Sequence, residues 1–257
     1  MKRPLSLSAA DLKYLAALCM LADHAALVFP DLLSQLGLPV WADALPRLLG
    51  RLAFPIFAYF VAEGCRRTRF FHRYLLRLGV FALISQAPFT LATGTMGGNV
   101  ILTFFLAAGS VWGFERAVQA GRGPAAASLP LLAACVLALA ANCDYGFPGV
   151  LLVFALYLCG EERKKRLACL GAGLVLIYLV YDPLTGVLSL PWLSGPLIGG
   201  YLAAALPVQG LYCLCAALSL VPLAFYRGQH GIQSKWFFYV FYPAHLLGLW
   251  ALSMALN

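Results

Sequence analysis

The sequence predicts an all-α, polytopic bundle of transmembrane helices, and three observations carry that prediction. Hydrophobic residues fill 62% of the 257 positions and charged residues only 11%, with a mean hydropathy of +0.84. A soluble domain of this size keeps a substantial polar skin, so this surface has to face lipid or other helices. The apolar residues also come in continuous runs of helix-spanning length, without the in-out alternation of a closed β-barrel. Finally, 15 of the 18 Lys and Arg residues fall in five segments, 2–3, 66–77, 116–122, 163–166 and 227–235. The connections near 31–43, 144 and 182 carry Asp and hardly any basic residue. That alternation is the positive-inside pattern, which puts the N-terminus and the basic segments in the cytoplasm. It also explains the net charge of +8 without nucleic acid as a partner; the expected partner is the lipid bilayer.

The first run, 9–29, follows a basic start, "MKRPLSLSAA", that resembles a signal peptide. Asp11 and Lys13 interrupt it and no small-x-small cleavage site follows, so it is expected to be a retained first span. Further spans are expected at 46–64, 74–93, 99–117, 126–142, 146–160, 167–181, 209–226 and 236–256. The apolar stretch 183–208 is rich in Pro and Gly and suits a re-entrant or interfacial piece. The expectation is therefore about nine crossings, with ten as the alternative, in one domain covering 1–257. No internal repeat is visible, which weakens a transporter built on inverted halves. The eight cysteines form no CxxC pair and lie mostly inside apolar runs, so no metal site is expected.

Charge inside these runs points to function, because each such group costs roughly 2.5–3.5 kcal/mol near the bilayer centre. "LKYLAALCMLADHAALVF" carries Lys13, Asp23 and His24. Lys13 and His24 are eleven residues apart, which puts them about 20° apart around a helix and about 16 Å along it. The second span runs in the opposite sense with Arg47, Arg51 and Glu63. If the two spans are antiparallel neighbours, Glu63 matches Lys13 in depth and Arg51 matches His24. Lys13 and Glu63 then form either a structural ion pair or part of a site, and Arg47 is expected to snorkel to the outer headgroups. His24 is either a hydrogen-bonded structural imidazole or a proton acceptor. Asp23 points about 100° away from it, towards another helix.

The Lys-x10-His spacing resembles the Arg/Lys-x10-His motif of integral-membrane acyltransferases that acetylate cell-surface glycans. "DHAALVFP", "GRLAFPIFAYFVAEG", "YLLRLGVFALISQAPFTLA", "NVILTF", "DYGFPGVLL" and "KWFFYVFYPAHLLGL" together resemble the TraX family along almost the whole chain. That resemblance implies an inner-membrane enzyme using acetyl-CoA, since the family's founding activity is N-acetylation of a conjugative pilin at its N-terminal amine. It marks Lys13, Asp23, His24, Arg51 and Glu63 as site residues, with Gln86, Asn99, Asp144, Tyr145, Tyr242 and His245 as candidates for holding the acceptor. Thr90 stands where the family is expected to have Asp. Capping and turn chemistry explain Asn99 and Asp144 equally well. His245 is either a second polar group of the cavity or a packing residue.

Acetyl transfer needs a base, stabilisation of an oxyanion and a seat for the donor's phosphates. His24 is the expected base, with a covalent acetyl-imidazole as the variant. Arg51 is expected to stabilise the oxyanion or hold an acceptor carboxylate. Arg66, Arg67, Arg69, Arg73 and Arg77 are the expected CoA-phosphate ligands, although positive-inside topology alone demands such a cluster; topology also accounts for "EERKKR". The acceptor is an unspecified amine or hydroxyl, from a pilin-like peptide, a glycan or a small molecule. From a different class, a transporter or flippase would use the same buried charges to move substrate and protons.

Overall fold

The computed structural model describes residues 6–192, 194–232 and 235–256. The first basic segment, 2–3, and the side chain of residue 235 lie outside what it describes. The described chain is helical throughout: α1 (Ala9–Val28), α2 (Leu32–Gln35), a 3-10 turn (Val40–Asp43), α3 (Ala44–Gly50) and α4 (Ala53–Arg67) come first. Then follow α5 (Phe71–Thr93), α6 (Val100–Gln119), α7 (Pro124–Ala140), α8 (Gly146–Leu158) and α9 (Arg163–Val175). A π-helical stretch (Leu176–Tyr181) leads into α10 (Asp182–Leu188), α11 (Gly195–Ala217), α12 (Leu220–Ala224) and α13 (Lys235–Leu256).

Six of these helical stretches are long and apolar enough to cross a membrane: 40–67, 71–93, 100–119, 163–188, 195–224 and 236–256. This is a multi-pass membrane protein: among the described residues six helical stretches qualify by length and composition, beside the expected nine or ten. α1 has 20 residues but carries Asp11, Lys13 and Asp23, while α7 and α8, with 17 and 13, are short apolar helices. The stretch 183–208 is helical on both sides of a break around Pro191. It is divided between α10, which prolongs α9, and the first half of α11. Pro196 lies at the start of α11, where its missing N–H is not needed.

Local sequence fixes the helix ends. Ser8 caps α1 in a capping box, its hydroxyl accepting from the Asp11 N–H and the Asp11 carboxylate accepting from the Ser8 N–H at 2.9 Å. Asn99 caps α6 through the N–H groups of Ile101 and Leu102. α4 is the hub. Two thirds of the apolar 18-residue window of the 40–67 span is buried, against 17–39% of the corresponding windows of the other five spans, with Ile56, Ala58 and Ala62 fully enclosed. Outer helices turn Leu83, Leu129, Leu132 and Leu214 outward, as lipid-facing surface requires.

Two polar ties set the frame. At the end carrying the basic segments, called the basic end, Glu63 is 4% exposed. It pairs with Arg67 (2.9 Å) and Arg166 (3.4 Å) and accepts from the Tyr226 hydroxyl at 2.6 Å. Arg166 also donates to the Tyr59 carbonyl and stacks 3.6 Å from the Tyr59 ring, so the tie joins α4, α9 and the segment after α12. At the opposite end α3 lies directly on α1, which Gly50 permits: a Cβ there would fall 2.2 Å from the Asp23 Cβ.

Two outcomes are expected. Glu63→Ala strands Arg166 and lowers stability by about 3–5 kcal/mol, measured by thermal unfolding in detergent, with Glu63→Gln losing less. Gly50→Ala lowers it by about 1–3 kcal/mol through overpacking; an unchanged melting temperature would contradict the contact.

Candidate functional site

α1 and α13 bring together two residues 221 positions apart. His24 Nδ1 lies 2.8 Å from His245 Nε2, with the rings stacked at 5.0 Å and 21°. His245 Nδ1 lies 2.7 Å from the Phe241 carbonyl oxygen one turn earlier in α13. A carbonyl oxygen only accepts, so His245 Nδ1 carries the proton, and in the neutral ring its Nε2 is an acceptor. His24 Nδ1–H is then the donor between the rings. The remaining lone pair of the chain is on His24 Nε2. The pair therefore presents one defined basic atom, fixed in tautomer and orientation by a backbone carbonyl two bonds away.

Beside it, Asp23 is clamped by two guanidinium groups. Arg51 Nη2 donates to both carboxylate oxygens at 2.9 and 2.8 Å, and Arg47 Nη1 lies 2.7 Å from Oδ1. Arg51 Nε donates to the Arg47 carbonyl, and its guanidinium lies over the Tyr212 ring at 5.2 Å. Arg51 thus meets α1 one residue before His24, held by the carboxylate. Arg47, for which snorkelling to the headgroups was expected, is a partner of Asp23 and is the more exposed of the two arginines on that carboxylate. Tyr145 stacks on Phe54 at 3.6 Å, with a left-handed backbone at φ +62°. Asp144, in the turn before α8, is open to solvent on one side while protein crowds its carboxyl. That desolvation, opposed by Arg51, pushes it up to about 6.

Towards the basic end, a cavity of about 280 Å³ runs between α1, α4, α5, α6 and α13. Lys13, Gly64 and Arg77 line it, as do Val100, Ile101 and Tyr242. The Lys13 ammonium lies 5.1 Å from the Phe60 ring centre. Lys13 and Gly64 share this cavity while Asp23 meets Arg51 at the other end, so α1 and α3–α4 run antiparallel. Tyr242 stands between cavity and histidines, its ring edge-on to His24 at 6.2 Å and to His245 at 5.7 Å. Its hydroxyl is buried with no hydrogen-bond partner among the described residues.

The arginine run divides by position. Arg67 is engaged by Glu63 and the Gly228 carbonyl, Arg73 lies over the Phe70 ring, and Arg77 lines the inner cavity. Arg66 and Arg69 face a different cavity at the basic end. Gln86 and Asn99 satisfy each other: Gln86 Oε1 accepts from Asn99 Nδ2 at 2.8 Å, and Gln86 Nε2 donates to the Gly97 carbonyl at 2.8 Å and to Thr90 Oγ1 at 3.4 Å. Fully buried Asn99 also donates to the Ala82 carbonyl, so both residues pin the α5–α6 turn.

Sequence reasoning missed Arg166, which it gave to topology. Its signal was present: Arg166, Leu170 and Leu174 recur every fourth residue and are the buried face of α9. Arg116 and His72, beside Arg66, were hidden in the same way among basic segments.

At 28% identity over the full length of both chains, the protein is similar to a Dichelobacter nodosus protein named "Probable fimbrial assembly protein FimC, serogroup H1". No solved structure matches. The family model described as TraX protein matches residues 8–253, and the chain belongs to the TraX family.

Proposed function

We propose that the protein is an acyl-CoA-dependent acyltransferase of the inner membrane, with its basic end in the cytoplasm, that passes an acetyl group to an amine or hydroxyl. The observation that carries this reading is the Nε2 of His24, without a hydrogen-bond partner among the described residues, beside a tyrosine that lines the inner cavity. The thioester enters that cavity from the side of Lys13 and Arg77. His24 Nε2 takes the proton of the acceptor N–H or O–H as that atom attacks the thioester carbonyl. The Tyr242 hydroxyl donates to the oxygen as it becomes an oxyanion. The C–S bond then breaks with its electron pair on sulfur, and His24 returns the proton to the CoA thiolate. His245 acts as a positioning residue: it holds the His24 tautomer and shares the positive charge that forms there.

The same geometry gives Arg51 and Asp23 a supporting part. They fix the α1–α3 angle that aims His24, and Arg47, the more exposed of the two arginines on Asp23, is the first cation met by an acceptor arriving from the end opposite the basic one. The family resemblance, together with a relative named for fimbrial assembly, favours the N-terminal amine of a surface-fibre subunit as acceptor.

In nanodiscs supplied with labelled acetyl-CoA and a pilin N-terminal peptide, His24→Ala is expected to lose turnover by about 10²–10⁴-fold with its melting temperature kept. Unchanged turnover would overturn the role of His24, and solute movement in vesicles without acetyl transfer would favour a transporter. His245→Ala is expected to lower kcat by about 10²-fold with little change in KM. It should also change the acid limb of the pH–rate profile, where activity falls as His24 takes up a proton. A change in KM alone would contradict a positioning role.

A further inference from the structure

The larger cavity, about 580 Å³, lies outside the machinery described above. It sits at the basic end between the last turns of α4, α6 and α8 and the first turn of α5. Arg66, Arg69, His72 and Arg116 line it, with Trp112 and Glu115. α4, α6 and α8 end near this cavity, and cations are favoured near helix C-termini, which explains why arginines are stable in these turns.

Arg66 is the unusual member. Its Nε, Nη1 and Nη2 are all buried, and none has a hydrogen-bond partner among the described residues. A guanidinium keeps its charge at any pH a protein meets, so it cannot escape this position by losing a proton. Glu63 and Glu161 act on it through space but accept no hydrogen bond from its nitrogens; a guanidinium withdrawn from water without a hydrogen bond is unfavourable unless an anion completes it. The carboxylate in the wall, Glu115, accepts from the Tyr157 hydroxyl at 2.5 Å and makes no hydrogen bond to Arg66. Arg116 lies over the Trp112 ring at 5.4 Å, and that indole is 39% exposed, a flat face beside the cations.

We infer that this cavity holds the phosphate groups of a nucleotide, with Arg66, Arg69 and Arg116 on the phosphates and Trp112 against the base. Guanidinium groups match phosphate oxygens in pairs, and an exposed indole stacks on any base. The identity of the ligand rests on the acyl-transfer reading, in which it is the nucleotide end of the donor; the presence of an anion site does not. Gly64 lines the inner cavity while the next two residues, Cys65 and Arg66, line this one. The last turn of α4 therefore separates the two, and the donor's arm has only that turn to cross.

The test is equilibrium binding of adenosine 3′,5′-bisphosphate to the full chain in phosphatidylcholine nanodiscs. Tight binding is expected, weakened about 10-fold or more by Arg66→Ala and by Arg116→Ala and untouched by Arg122→Ala, whose residue is exposed and outside the cavity. Arg116→Ala decides the matter where Arg66→Ala does not fold. Equal binding by both variants overturns the inference. So does retention of phosphatidylglycerol, lost in the variants, by a protein that ignores the bisphosphate; the site would then take a lipid headgroup. Arginine-dependent bisphosphate binding without any acetyl transfer upholds this site and overturns the acyl-transfer reading. Acetyl transfer with an unchanged KM for acetyl-CoA in both variants does the reverse.

Discussion

The structure depends on how a carboxylate is held between α1 and α3. Asp23 would be prohibitive in lipid alone, and it is stable here because Arg47 and Arg51 meet it within 2.9 Å. That geometry demands that α3 lie against α1, and the glycine at position 50 is what lets the backbones come so close. His24, next in the chain and about 100° further round the helix, is thereby turned towards α13. The charge cluster thus acts on the reaction through orientation. It holds the helix, and the helix aims the imidazole.

The basic end shows a different use of charge. Glu63 binds Arg67, Arg166 and Tyr226, so two arginines serve a structural tie. Arg66, their neighbour in α4, has no such tie among the described residues. Successive residues of one helical turn point to different surroundings, which is why a single run of arginines can both join helices and line a cavity. Positive-inside topology accounts for the presence of these cations at this end; it does not account for a buried guanidinium without a hydrogen bond among the described residues.

The helical class was legible because apolar runs and charge alternation are properties of composition, independent of packing. So was the pairing of α1 with the next span, since Lys13, His24, Arg51 and Glu63 keep helical spacing. Within 183–208 the helix break falls between α10 and α11, around Pro191, while the other Pro and Gly residues lie inside helices. In an apolar helix they are tolerated, and Pro196 sits where a helix begins. The roles of Gln86 and Asn99 were open in the sequence because an N-cap amide and a ligand-binding amide look alike until their partners are known. The direct contact of His24 with His245 was invisible, since nothing local links residues 221 apart. Only tertiary packing of α13 on α1 could show that the two imidazoles share one proton.

The central claim is that this pair leaves a single basic nitrogen, His24 Nε2. It is tested most directly by ¹⁵N NMR of histidine-labelled protein in nanodiscs, with His24→Gln and His245→Gln for assignment. The account predicts that at neutral pH both rings carry their proton on Nδ1, with scalar coupling from His24 Nδ1 to His245 Nε2 across the hydrogen bond. A His24 ring protonated on Nε2, or the absence of coupling between two neutral rings, would contradict it.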